Sequence, residues 1–408
     1  MTKLNIRNQL VLKPVTLEHL DQFDELLRYV FQVSSRDIER SGFEEEEELL
    51  RAKRPILQHS DVIGWFNKDE LVSQLCIYSC QVNIHNKIFN MAGLTGVGTY
   101  PEYANLGLMN DLIKTALTMM RENQQWISYL YPYSIPYYRK KGWEIFSEHI
   151  TYTIKDTQLA KYEKQPGFVQ RLDVDDKDVL TVYDQFSHTN HGALIRGKLA
   201  WSEYWRWENE NERTAAVYYD ENQNPQGVMF YWIDKDVFYI KDLFYLTQEA
   251  RKGLWNFVYA HYSMIDKLKG HTYCHDPIAF QLQDSKIAEV IEPYYMARIV
   301  DVAEFLKAYP FIGKPKSEFH FVITDPIADW NNGIFRLFYN EKENKMDVDN
   351  QPIGEAIELS IQTLSAMLMN FRRPEYFYRY ERIKASKSAI AILDAIIPFK
   401  APYFSDYF

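Results

Sequence analysis

Covalent cross-links have almost nothing to work with in this chain: among 408 residues there are three cysteines, Cys76, Cys80 and Cys274. Three cannot form a disulfide framework, and the spacing of the first two puts them on one face of a strand as small apolar fillers. Glycine and proline are also scarce, 16 of each, which excludes a fibrous or low-complexity protein. No stretch approaches the ~20 apolar residues of a membrane span. The opening Met-Thr-Lys-Leu-Asn-Ile carries no apolar run of the signal-peptide kind. A reduced, soluble, cytoplasmic protein is expected. Dense Lys/Arg blocks are missing too. Lys and Arg number 46 against 56 Asp and Glu, a formal net charge of −10, whereas nucleic-acid binding needs a concentrated basic face that displaces counterions. Nucleic acid is not the expected partner; small cationic substrates suit an acidic surface better. Neither a Gly-x-Ser-x-Gly elbow nor a Walker turn is present. The histidine groups His188/His191 and His271/Cys274/His275 lack a second pair at ligand spacing, so no metal is expected.

What the chain does have is apolar and aromatic mass. Apolar residues make up 46% and charged residues 25%, as in soluble globular proteins, and 30 Tyr and 24 Phe will dominate cores and clefts. At roughly 100–200 residues per domain, the length suggests two to four domains. Thr16 is a plausible N-cap for a helix carrying Leu20, Phe23, Leu26, Leu27, Val30 and Phe31 at helical spacing. The acidic run Glu44 to Glu48 reads as a solvated helix face. Segments 63–66, 71–82 and 88–99 read as an antiparallel meander, followed by a helix with Leu108, Leu112, Ile113, Ala116, Leu117 and Met120 on one side. A buried strand, 126–131, and the segment Pro132 to Glu144 complete an α+β unit of about 150 residues.

At the centre of that unit lies a strand, a Gly-containing turn and a helix, Val97 to Asn110. Backbone amides freed at a helix N-terminus can hold a pyrophosphate, and a residue without a side chain permits close approach. The same succession recurs from Phe238 to Leu268, where Gly253-Leu254-Trp255-Asn256 echoes Gly107-Leu108-Met109-Asn110. An internal duplication is expected. There Trp255 stands where the turn needs something small, so the second copy is expected to be structural. From Pro310 the pattern changes again, with strands at 319–323 and 333–339 and a helix through Leu364, Met367 and Leu368.

In the order of these motifs, in Tyr137-Tyr138-Arg139-Lys140-Lys141-Gly142-Trp143 and in a chain ending on Phe, the sequence resembles the Eis (enhanced intracellular survival) family of GNAT N-acetyltransferases. The resemblance covers nearly the whole chain. It implies an α+β fold of two tandem GNAT-like domains, 1–150 with the acetyl-CoA site and 151–308 degenerate, then a sterol-carrier-protein-like domain, 309–408, assembled as a homohexamer. It implies an acetyl-CoA site at Val97, Gly98 and Thr99, at Asn105, Leu106, Gly107, Leu108, Met109 and Asn110 around the pyrophosphate, and at Tyr133 and Ser134 beside the pantetheine. The family turn has Arg or Gln three residues before the Gly and a small residue two after it. Here those places hold Ala104 and Met109, which removes a guanidinium partner for phosphate.

Acetyl transfer needs a neutral amine to attack the thioester and an acid to protonate the departing thiolate. A phenol, with a pKa of about 10, serves as that acid, and the resemblance places Tyr138 there, with Tyr137 the neighbouring alternative. The last seven residues hold four aromatic rings and no Gly, so the tail should dock, since burying each ring gains on the order of 1.5–3 kcal/mol. The resemblance puts it in the first GNAT domain, with the α-carboxylate of Phe408 as base. The expected activity is N-acetylation of a small-molecule or lysine amine: an aminoglycoside-like compound, a polyamine or a protein lysine. The alternatives are a non-catalytic acyl-CoA or lipid-binding module and an aminoacyl or peptidoglycan-peptide transferase.

Overall fold

All six apolar positions that helical spacing selects after Gly107 are buried along one face of the helix Leu108–Glu122. The computed structural model describes residues 6–40, 52–160, 162–206, 208, 213–273 and 278–408. The acidic run 44–48, Cys274 and His275 lie outside the described residues. Thr16 does not cap the first long helix. It caps a single 3₁₀ turn, Leu17–His19, and the helix proper runs Leu20–Phe31, burying Phe23, Leu26 and Leu27.

Three sheets organise the described residues. In the first, Leu10–Pro14, Ser60–Asn67, Glu70–Ile84 and Lys87–Thr99 form an antiparallel meander, and Ile127–Leu130 adds in parallel. Cys76 and Cys80 do share a face of Glu70–Ile84, and burial pushes both thiols up. The second sheet comprises Ala288–Pro293, Glu148–Lys155, Lys267–Thr272, Val237–Tyr245, Pro225–Asp234, Thr214–Tyr219 and Phe168–Leu172. The third, of five strands, is built around Phe319–Thr324 and packs beneath the helices Ile361–Leu368 and Lys387–Ile396.

The chain does not keep to one sheet at a time. Met296–Ile299 leaves the second unit and pairs with Ile127–Leu130 of the first, and Leu194–Ile195 pairs with Gln81 and Val82. One hydrophobic core runs through Phe23, Tyr129, Phe305, Phe321, Leu364 and Phe408, so the first and third units share an interior. The second unit has its own clusters on either side of its sheet. At the three-way junction, His85 and His191 stack with ring centroids 3.6 Å apart, and His191 Nε2 lies 2.9 Å from the Met369 carbonyl. Burial holds both imidazoles well below their ordinary pKa, His191 at about 4 and His85 at about 2.

Candidate functional site

Strands Lys87–Thr99 and Ile127–Leu130 pair only at Met91↔Ile127, Ala92↔Ser128 and Gly93↔Tyr129, and then part. Opposite Leu75 the first of them carries a bulge: Gln74 faces Gly98 while Cys76 faces Thr95, and Gly96 takes φ +60°. A ring fills the fork. A Cβ on Gly93 would lie 2.7 Å from the Phe408 ring, so only glycine admits the tail there. In front of the fork lies a cavity of about 570 Å³ lined by Val97, Tyr133, Ser134, Tyr137, Tyr138 and Phe408, with Phe23 and Leu27 from the first helix. Glu203 and Arg206 of the second unit also reach its wall. A larger cavity, about 1080 Å³, opens beyond Tyr407 and Phe408 and shares Tyr78 and Glu203 with the first.

Tyr138 owes its place to a short helix, Ile135–Arg139, started by Pro136 in its first turn. Gly142 ends the segment at φ +93°. The Tyr138 ring is buried against Tyr137 and Trp143, with centroids 5.2 and 6.3 Å away. Burial raises its pKa well above the ordinary tyrosine value, with Tyr137 adding to the shift. Such a phenol keeps its proton at neutral pH.

The tail, residues 402–408, is laid against both GNAT-like units. Phe404 is fully buried, its ring 4.5 Å from that of Tyr295 and 5.3 Å from that of Tyr129. Asp406 pairs with Arg196 at 2.7 Å, both side chains almost fully buried. The Arg196 guanidinium lies 3.8 Å from the Tyr183 ring centre and 3.7 Å from that of Tyr204. Tyr403 donates to Asp242 at 3.3 Å, and burial lifts the Asp242 carboxyl to about 7. The Phe408 amide donates to the Tyr295 hydroxyl at 2.8 Å, and that hydroxyl donates to the Phe408 main-chain oxygen at 3.3 Å.

Gly107 is the N-cap of Leu108–Glu122 at φ +78°, a left-handed conformation that favours glycine. Among the described residues an added Cβ there would meet only the Arg7 guanidinium, 3.1 Å away. Arg7 donates to the Leu106 carbonyl and pairs with Asp111, so the segment before the first strand brings a guanidinium to the turn where Ala104 brings none. Sequence reading missed Arg7 because the contact spans about a hundred residues. The turn has the groups a phosphate needs, the first helical amides and a cation beside them, with the Arg7 guanidinium lying against the glycine. The side chains of Leu106 and Leu108 are buried in a small core with Leu10 and Val72, and Met109 packs against the cluster of Leu112, Ile113 and Leu117. These three offer backbone only. Gly98 packs on Val30, and Thr99 Oγ1 is 2.7 Å from Ser73 Oγ. Neither lines the cavity, and neither do residues 105–110.

The four-residue echo in the second unit is out of register. Its helix, Gln248–Tyr259, is capped by Thr247, whose side chain accepts from the Ala250 amide. Gly253 therefore sits inside the helix, and its missing Cβ would lie 2.2 Å from the Tyr218 ring. Trp255 does not stand in the turn; it is buried in the core with Leu268 and Ile265. The histidines considered as ligands are otherwise engaged: His271 lies tilted against His149 with centroids 4.8 Å apart, and the exposed His188 ring turns back to the Asp184 carbonyl of its own helix. Among the described residues no group of three His, Cys, Asp or Glu side chains gathers to hold a metal.

Family comparisons divide the chain in the same order as its units. Residues 11–146 and 192–299 match families described as acetyltransferase (GNAT) domains, and 302–405 match a sterol carrier protein domain. No curated protein sequence matches the chain. Among solved structures, a protein of unknown function from Enterococcus faecalis V583, described as a probable N-acyltransferase, is similar with a TM-score of 0.87 and 26% identity. The likeness covers 98% of this chain and 99% of that one. A GCN5-related N-acetyltransferase from Anabaena variabilis has a TM-score of 0.82 at 21% identity, over 98% of this chain and 100% of its own. Eis1 from Mycobacterium abscessus reaches 0.78 at 17% identity, again over 98% and 100%. At those last two identities the likeness is one of fold.

Proposed function

We propose that this chain, with two GNAT domains and a sterol carrier protein domain in that order, is an Eis-like acyltransferase that moves an acetyl group from acetyl-CoA to an amine. The acceptor is a small cationic molecule (aminoglycoside-like or a polyamine) or a lysine side chain. The observation that carries the reading is the fork in the first sheet, where Tyr138 and Phe408, 270 positions apart in the sequence, line one cavity.

Acetyl-CoA supplies an acyl group activated as a thioester. The Gly107 turn, the amides that open the helix Leu108–Glu122 and Arg7 hold its phosphates, while Val97, Gly98 and Thr99 flank the donor along the forked strand with Tyr133 and Ser134 opposite. The α-carboxylate of Phe408 takes the proton of the attacking amine as the C–N bond forms. Its reference pKa is low, about 3.3–3.7, so the desolvated site beside Tyr295 or a relaying water must strengthen it as a base. Tyr138 gives its proton to the sulfur as the C–S bond breaks, and solvent returns one to it. The units work as 1–150, 151–308 and 309–408, with Met296–Ile299 crossing back, in a cytoplasmic homohexamer.

Acetyl-CoA-dependent thiol release across a panel of polyamines, aminoglycosides and lysine peptides tests the activity. Donor binding without release on any amine would overturn it in favour of a non-catalytic acyl-CoA-binding module. A few residues appended after Phe408 move the charge and keep every side chain. Release should stop while acetyl-CoA still binds, and full release from the extended chain would remove Phe408 from the mechanism.

A further inference from the structure

The helix that carries Tyr138 is only five residues long, Ile135–Arg139, and so short a helix does not hold itself in water. Its surroundings come largely from the third unit. Gln362 donates its amide at 2.8 Å to the Arg139 carbonyl at the helix C-terminus, which also accepts from the Gly142 amide at 3.1 Å. Glu144, with a side chain only 4% exposed, bridges Arg139 and Arg382 at 2.8 Å each. Behind Gly142, Arg298 donates to the Lys141 carbonyl and pairs with Asp325 at 2.5 Å, both side chains wholly buried. Asp325 is itself fixed, accepting from the amides of Ile327 and Ala328 at 3.0 and 3.1 Å and from Asn331 at 2.9 Å. The fit is close enough that a Cβ on Gly142 would lie 1.9 Å from the Arg298 guanidinium. The same guanidinium sits 5.2 Å from the centre of the Trp143 ring, which faces Tyr138.

We propose that the sterol-carrier-like unit is a brace for the acid of the first GNAT domain, with Gln362, Arg382 and Asp325 (the last through Arg298) as positioning residues for Tyr138. The inference rests on Tyr138 as the proton donor. Three independent grips, on the end of the helix, on the residue after the turn and on the turn carbonyl, fix the ring by fixing the backbone on both sides of it. None of the three touches the cavity. Misplacing a catalytic group by about 1 Å costs on the order of 10²-fold, so a loosened brace is felt in turnover and not in substrate binding.

Removing the Asp325 charge leaves Arg298 buried without a counter-ion and threatens the fold, so the test uses Gln362→Ala with Arg382→Gln at the half-exposed end. The full chain is assayed for kcat, acetyl-CoA Kd and Tm, with and without Tyr138→Phe. The double substitution should lower kcat by about 10-fold, short of that 10² limit, and leave Kd unchanged. The high-pH limb of kcat should move down towards pH ~10 as water reaches the phenol. In the Tyr138→Phe background it should cost nothing further, because partners in one network are not additive. An equal loss in both backgrounds, or an unchanged kcat and pH limb, overturns the brace. Full activity of Tyr138→Phe alone overturns the acid assignment, and the brace with it.

Discussion

The two GNAT-like units place glycine differently, and that difference sets the proposed donor turn apart from its counterpart in the second unit. In the first, Gly107 stands at the N-cap in a left-handed conformation with the Arg7 guanidinium beside it. In the second, Gly253 lies six residues inside its helix and is pressed flat by the Tyr218 ring. The first sheet forks and admits a cavity; the second carries packed clusters on either side. Yet the second is not idle mass. It supplies Arg196 to the tail, Glu203 to the cavity wall, and Met296–Ile299, which carries Arg298, to the first sheet.

The widest break in that comparison is Gly107→Trp. An indole would be forced into a left-handed backbone position and into the space where phosphate approaches, so acetyl-CoA binding should disappear in calorimetry. Trp255→Gly should leave binding intact. It will lower Tm, since an indole leaves a buried position and glycine enters a helix, a loss of several kcal/mol on the scale of about 3–5 for large-to-small aromatic changes. Equal loss of binding from both changes would refute a single donor site.

Next in size is Tyr138→Phe, which should lower kcat by roughly 10²–10⁴-fold with little change in acetyl-CoA affinity. Tyr137→Phe, also on the cavity wall, should cost far less. A reversed order would move the acid by one residue.

These contrasts also mark what the sequence could disclose. The helix after Gly107 was legible because six apolar residues recur at its period, and the docked tail because four rings in seven residues do not stay in water. The repeat was legible as a repeat, but its register was not. Four matching letters say nothing about caps, and Thr247, a better N-cap than glycine, had already started the second helix. Arg7, Arg196 and Arg298 were invisible for another reason. Each acts on a residue 99, 210 or 157 positions away, and no periodicity or spacing encodes such a meeting.

Arg7 gives a smaller effect with an informative sign. If it supplies the cation that Ala104 does not, Arg7→Ala should weaken acetyl-CoA binding about 10-fold, the weight of one charge-assisted hydrogen bond, and should reduce the salt dependence of binding. Arg7 also pairs with Asp111, so the substitution exposes a carboxylate to the phosphate and acts in the same direction. Tighter binding in the variant would mean that Arg7 covers the turn and must move aside.

The smallest expected effect compares the junction with the second unit through pH. His191 and His85 are held neutral, at about 4 and about 2, against a reference near 6.5. The unfolded chain takes up protons below pH ~6.5 that the folded chain refuses, so their contribution is whole above that pH and is lost progressively towards pH 4. Lys400 and Arg373 add to the depression. Asp242 runs the other way. Its carboxyl is raised to about 7 from about 3.9, so its contribution is whole below pH ~4 and is lost as pH rises through 7. Between pH 7 and 5 the two histidines and the one carboxyl therefore oppose each other. Tm should fall modestly on acidification, the fall should flatten in His191→Gln, and it should steepen in Asp242→Asn, where the counterweight is gone. Slopes are the quantity to compare, because both substitutions also change Tm at pH 7. An unchanged slope in His191→Gln would move the acid sensitivity away from the junction, and an unchanged slope in Asp242→Asn would mean that the carboxyl is already ionised in the folded chain.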